Sequence, residues 1–288
     1  MTGAEGIAGV AFTGSVETAR LIAKSLAAKL GPLAPLIAET GEQNVMIVDS
    51  SALLEQAVAD ALTSAFSSAG QRCSCLRVVF VQEEIAAAFI AKLDGALQEI
   101  EVGDPILLAT DVGPLIDVDA LAQRAHGARS DVARRCADGK RYWVRFLFFA
   151  QAFEISGLSQ LGGEIFGPIL HIVRFTSGQL DAVVDAINET GYGLTLGIQS
   201  RIDSTVRRIA GRARIGNIYV NRNMIGAVVG VQPFGGEGLS GTGPKAGGPR
   251  YLHRFATERT LTVNTAAAGG NPELLSLADD KIGEGSGQ

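Results

Sequence analysis

Apolar and polar positions alternate along this chain in two rhythms. Short β-rich runs recur at PLIAET (35 to 40), NVMIVDS (44 to 50), RVVFVQE (77 to 83), LHIVRF (170 to 175), LTLGIQS (194 to 200) and NIYVN (217 to 221), and each predicts a strand. Between them, apolar residues at three-to-four spacing predict helices at about 16 to 30, 52 to 69, 84 to 98, 179 to 189 and 204 to 212. The alternation points to an α/β fold, a parallel-rich sheet flanked by helices. Ser15 and Asp203 stand where helix caps belong, and Gly70 and Gly191 where helices stop.

Two regions break the rhythm. From about 118 to 150 arginines accumulate, followed by RYWVRFLFFAQAF with the single tryptophan, Trp143, and the pattern assigns no element there. From about 222 onward glycine is dense (GAVVGVQPFGGEGLSGTGPKAGGP), which predicts a long loop whose backbone approaches other groups closely. The tail after Asn264, ending GEGSGQ, is expected to be flexible.

Composition narrows the function classes. With 288 residues and 47% hydrophobic content, the chain can fill one large core or two modest ones. A net charge of −5 gives no general attraction for nucleic acid or anionic membrane. No stretch of 18 unbroken apolar residues occurs, and the start lacks the basic and apolar regions of a signal peptide. The three cysteines, Cys73, Cys75 and Cys136, are too few and too irregularly spaced for a disulfide framework or a four-ligand zinc site. A reducing cytoplasm and no metal are the expectations.

Candidate chemistry lies at two junctions. Cys73, in SSAGQRCSCLR, falls after a predicted helix and directly before a strand, where a side chain can project into a cleft beside free backbone N–H groups. It reads either as a nucleophile, with Arg72 and Arg77 near enough in sequence to favour a thiolate, or as a buried apolar cysteine. Glu39 ends an apolar strand in LIAETGEQN, with Gly41 permitting a sharp turn after it. It reads either as a half-desolvated general base or as a solvated cap.

ETGEQN, GQRCS, EIFGP, PFGG and SGTGPKAGGP, in this order, resemble the aldehyde dehydrogenase superfamily. More narrowly, AFTGS, LIAETG, QNVMIVDSSA, SAGQRCS, GAVVGVQPFGG and LSGTGPKAGGP resemble its glutamate semialdehyde dehydrogenases of proline catabolism, in blocks from about 8 to 118 and from about 153 to 270. The resemblance implies that Cys73 attacks the aldehyde carbon, that the resulting thiohemiacetal gives up a hydride to NAD and becomes a thioester, and that Glu39 activates the hydrolytic water. It implies that the Cys73 N–H serves the oxyanion hole. Phe12, Thr13, Gly14 and Ser15 would form the turn that meets the cofactor pyrophosphate. Glu164 would hold the nicotinamide-side ribose, and Phe166 would pack beside the ring. Ser74, Gly247 and Gly248 would anchor the distant carboxylate of the aldehyde substrate. By the same resemblance, residues 1–38 belong to a truncated Rossmann-like NAD domain and 39–245 to the catalytic domain. Residues 246–288 hold the anchor loop, an oligomerisation strand at TLTVN (260 to 264) and the tail, so a homo-oligomer is expected.

The sequence departs from this pattern in three places. It begins close to FTGS, so the upstream part of the nucleotide domain, with an oxyanion-hole amide and a ribose-binding lysine, is expected to be supplied elsewhere or absent. The isolated chain is accordingly expected to show weak or no activity. Glu42 stands where the resembled motif has glycine, and a carboxylate three residues from Glu39 is expected to hinder its ionisation. The segment from 118 to 150 does not follow the family. Two other readings stay open: a catalytically inactive remnant that keeps the motifs, and a thiol hydrolase pairing Cys73 with His126, His171 or His253.

Overall fold

In the computed structural model, residues 3–117, 147–228 and 230–264 are described. Trp143, His126, Cys136 and the tail beyond Asn264 lie outside the described residues, as does most of the unassigned segment. Six parallel strands form the main sheet, in the order β5 (Gln151–Glu154), β6 (Ile169–Phe175), β4 (Val78–Gln82), β3 (Val45–Val48), β8 (Thr195–Gln199) and β9 (Asn217–Val220). The central strands β3 and β4 are buried at every residue, which explains their continuous apolar runs.

Side chains alternate across such a sheet, so each strand feeds two cores. Met46, Val48, Val79 and Val81 pack with α2 (Leu54–Phe66) and α3 (Glu83–Gln98), through Ala61, Phe89 and Leu93. Val45, Ile47, Val78 and Phe80 point the other way, onto α4 (Leu180–Glu189) and α5 (Asp203–Arg212), through Val184, Ile187 and Ile209. The predicted α/β architecture, a parallel-rich sheet flanked by helices, is therefore the observed one.

A separate two-stranded parallel sheet joins β1 (Val10–Thr13) to β2 (Leu36–Glu39), with α1 (Val16–Ala27) between them in sequence. Ser15 caps α1 as expected, accepting a hydrogen bond from the Thr18 N–H at 3.1 Å. Asp203 does not cap α5. It is the first helical residue, following Ile202 as N-cap, and pairs one turn on with Arg207 at 2.6 Å. The glycine-rich stretch is a loop pinned in several places, by the short antiparallel pair β7 (Tyr192–Gly193) with β10 (Glu237–Gly238) and by bridges from Gly241 to Glu39 and from Ala246 to Phe234.

The end of α2 sets the geometry of the site. The predicted helix to 69 stops at Phe66, and a 3-10 turn, Ser67–Gly70, follows in which Ser68, Ala69 and Gly70 all take positive φ. At Gly70 a Cβ would lie 2.3 Å from the Gly167 carbonyl oxygen. Gly70→Ala therefore combines a left-handed backbone with a backbone clash, and it is expected to cost at least about 2 kcal/mol, read as a fall in the urea midpoint at unchanged slope.

Chain contacts divide the molecule into Met1–Phe255 and Ala256–Gln288. In the second unit, residues 256–264 take no regular secondary structure, so the strand expected at TLTVN is not formed in the single chain. Among the described residues no helix is long and apolar enough to cross a membrane.

Candidate active site

Strand ends bring the chemistry together. Glu39 closes β2, Asn44 directly precedes β3, and Cys73 lies in the turn between the left-handed Ser68–Gly70 segment and β4. A cavity of about 770 Å3 opens at these amino-terminal ends of β3 and β4, and its wall includes Cys73, Glu39, Ser74, Ser15, Glu164 and Phe166. Thr13 and Gly14 complete the side next to α1. The β1–β2 register sets Thr13 beside Glu39, and the Gly14 N–H donates to the Glu39 carbonyl at 3.0 Å. The turn at the start of α1 and the strand end bearing Glu39 are thus one local structure.

Three expected site residues do not line the cavity. Phe12 sits beneath the turn, its ring so close that a Cβ on Gly14 would lie 2.5 Å from it. The anchor loop reaches the cavity through Ala246, which exchanges backbone hydrogen bonds with Phe234 at 2.8 and 3.0 Å. Gly247, at φ +70°, and Gly248 follow immediately beyond it.

Glu39 is held by one oxygen and left open at the other. Its Oε2 accepts from the Gly236 N–H at 2.9 Å, whereas Oε1 is buried with no hydrogen-bond partner. Glycines make room for it: a Cβ on Gly235 would fall 2.5 Å from Oε1. Burial pushes the carboxyl up to about 7, against the pull of the Gly236 N–H and of Lys245. Lys245, itself lowered by burial, donates to the Gly216 carbonyl and to Asn217. The sequence reading missed Lys245, although a lone lysine within PKAGG was its visible signal.

Cys73 is half-buried, and burial raises its thiol to about 11. The negative charge of Glu42 adds to the rise, with smaller contributions from Cys75 and Glu39, while the residue's own backbone N–H pulls the other way. The arginines expected to favour a thiolate are otherwise engaged. Arg72 donates to Ser68 Oγ at 2.8 Å, and Arg77 is buried against Glu42. The expected burden of Glu42 on Glu39 does not appear; it falls on Cys73 instead.

Glu42 is fully buried. Arg77 Nε and Nη2 both reach its Oε1, at 2.8 and 2.5 Å, and Asn44 Nδ2 reaches Oε2 at 2.6 Å. Burial nonetheless pushes this carboxyl up to about 8. Glu164 lies across the same corner, since a Cβ on Gly41 would meet its Oε2 at 2.7 Å. The Arg77 guanidinium also stands 5.4 Å from the centre of the Phe166 ring.

No histidine lines the cavity among the described residues. His171 is buried in β6 with Nδ1 against the Arg77 carbonyl at 3.3 Å, and burial lowers its pKa. His253 lies in a 3-10 turn of the loop region. Among the described residues no group of three or more His, Cys, Asp or Glu side chains is placed to hold a metal.

The chain has extensive similarity to proteins of known kind. The bifunctional protein PutA of Klebsiella aerogenes is 51% identical over 272 residues, covering 90% of this chain and 21% of that protein. A crystal structure of bifunctional proline utilization A superposes with a TM-score of 0.84 at 56% identity, over 93% of this chain and 27% of that one. The 1-pyrroline-5-carboxylate dehydrogenase from Thermus with bound NAD superposes with a TM-score of 0.75 at 26% identity, over 86% of this chain and 49% of that one. The chain thus spans about a fifth of the length of the PutA relative and about half of the Thermus enzyme. The sequence profile of the aldehyde dehydrogenase family matches residues 1–261, so this chain belongs to the aldehyde dehydrogenase family.

Proposed function

We propose that this chain is the catalytic segment of a larger enzyme that oxidises L-glutamate γ-semialdehyde to L-glutamate with NAD. The observation that carries the reading is a thiol and a carboxylate with a free, buried oxygen set in the wall of one cavity, Cys73 and Glu39. In that reading the Cys73 sulfur bonds to the aldehyde carbon as its thiol proton is released to solvent, leaving Glu39 free for the later step. The Cys73 N–H donates to the oxygen that becomes negative. NAD held against Thr13, Gly14, Ser15, Glu164 and Phe166 would supply the acceptor for the hydride that the thiohemiacetal loses as it becomes a thioester. Glu39 Oε1 then takes a proton from water as that water attacks the thioester carbon, the carbon–sulfur bond breaks, and the proton returns to the leaving thiolate.

The cavity suits the oxidised cofactor. Thr13, Gly14 and Ser15 present the N-terminus of the 12-residue helix α1 to it, the arrangement that receives phosphate. Glu39 and Glu164 concentrate negative charge where an oxidised nicotinamide ring is cationic, and Phe166 offers a flat face. Residues 1–38, with β1, α1 and β2, act in this reading as part of the NAD domain, and 39–245 as the catalytic domain. Ser74 and the backbone of Gly247 and Gly248 select the carboxylate end of the substrate. Residues 246–288 supply that loop and a strand at 260 to 264 that forms on pairing with another copy.

One observation favours the rival reading of an inactive remnant: a thiol raised to about 11 is a poor nucleophile at rest. The two are separated by adding NAD and the semialdehyde to the purified chain. Once the chain is joined with the remainder of such an enzyme, a cofactor-dependent rise in melting temperature with NADH formation is expected, and Cys73→Ala is expected to abolish NADH formation while keeping the thermal shift. Neither shift nor NADH, from the chain alone or joined with the remainder of such an enzyme, would leave the remnant reading.

A further inference from the structure

Arg77 is the cation nearest in sequence to the Cys73–Cys75 turn that is also buried, yet it faces a carboxylate rather than the thiol. Glu42 takes two of its nitrogens, and the third, Nη1, is spent on the Gly70 and Gly167 carbonyls at 2.8 and 3.0 Å. Asn44 ties the same carboxylate to the turn, with Nδ2 at 2.7 Å from the Cys73 carbonyl and 2.9 Å from that of Cys75. Asn44 Oδ1 is fixed in turn by the Thr195 N–H at 3.0 Å, at the start of β8. The result is a rigid post of Glu42, Asn44 and Arg77 directly behind the proposed nucleophile, anchored to β3, β4 and β8. None of this belongs to the proposed chemical steps, which need only Cys73, Glu39 and the cavity.

We propose that Glu42 is a positioning residue that restrains Cys73, sequestering Arg77 from the thiol and setting its own carboxylate beside the Cys73 turn. A free guanidinium at the turn would stabilise a thiolate, whereas a buried carboxylate there opposes one. The direction of the thiol's shift agrees, since the Glu42 charge is the largest contribution after burial. Other groups bear on the same pair: Glu164 and Tyr192 on Glu42, Cys75, Glu39 and Tyr219 on Cys73, and Arg72 on Cys75. Of these groups, Glu42 is the one shown touching both the buried cation and, through Asn44, the backbone of the nucleophile. The inference rests on Cys73 as nucleophile for its importance to catalysis, but it concerns a property of the thiol that is measurable without turnover.

The test is the rate of iodoacetamide alkylation of Cys73 in the full chain, assigned by peptide mass spectrometry, as pH is raised. At about pH 9 Glu42→Gln is expected to alkylate about ten-fold faster than the unmodified chain, the effect of one pKa unit. Glu42→Asp, which keeps the charge, is expected to hold the slow profile. Should Glu42→Gln fail to fold, the double variant Glu42→Gln with Arg77→Gln leaves no unpaired ion and is also expected to react faster. Buried Cys75 serves as the internal reference: a gain shared equally by Cys75 means that the turn has opened, and overturns the proposal. So does a folded Glu42→Gln chain that alkylates at the unmodified rate. A Cys73→Ala chain that still formed NADH would sink the catalytic reading and leave this measurement standing.

Discussion

Glu39→Gln is expected to leave one burst of NADH per active site and then almost no turnover, with the steady rate down by 100- to 10,000-fold. The amide fills the same space and keeps a carbonyl oxygen for the Gly236 N–H, but it cannot take a proton from water. Acyl transfer to Cys73 then proceeds and hydrolysis does not, so intact mass should show the chain carrying the substrate acyl group. The pH dependence follows from the same carboxyl. Burial has raised it to about 7, so its basic form grows as pH rises through neutrality. The deacylation rate of the unmodified enzyme should therefore climb with pH up to a midpoint near 7 and level off above it, and the variant should show no such step. A variant that turns over at the unmodified rate, or that keeps the step near 7, would remove Glu39 from the mechanism.

That a single carboxyl could be singled out from sequence reflects what linear patterns record. Strands β3, β4, β6 and β8 were legible because a parallel sheet covered on both faces forces near-continuous apolar runs. β1 and β5 escaped for the opposite reason. Each has four residues, none fully buried, so neither offers the continuous run that marks a strand. Cys73, Glu39, Ser15, Ser74, Glu164 and Phe166 were legible as motifs, and the fold gathers all of them at one cavity. What no pattern could give is a pairing across the sheet. Glu42 and Arg77 are 35 residues apart, and their contact depends on the register of β3 against β4, which sets Val45 beside Val78. Read along the chain, Glu42 looked like an intrusion beside Glu39, and Arg77 like a helper of the thiol. In three dimensions the two side chains are each other's partners.

The second large effect should fall on stability. Arg77→Met keeps much of the bulk but leaves Glu42 buried without its cation and strips donors from the Gly70 and Gly167 carbonyls. Losing one partner of a buried pair typically costs about 3 to 5 kcal/mol, because the remaining charge stays in the interior. The cost should depend on pH in a definite direction. Burial raises the folded-state pKa of Glu42 above its unfolded value, so the folded chain holds a proton that the unfolded chain has released. Glu42's contribution to stability is then fully present below the unfolded value of 4.5 and is lost as pH rises toward about 8, and the loss should continue to higher pH in Arg77→Met because nothing offsets the buried charge. Adding Glu42→Gln to Arg77→Met removes that charge, and most of the lost stability should return, with the slope flattened. Urea midpoints of the unmodified chain, Glu42→Gln, Arg77→Met and the double variant across that pH range measure the coupling directly. If the double variant proves no more stable than Arg77→Met alone, the penalty lies in the lost carbonyl contacts rather than in the stranded carboxylate.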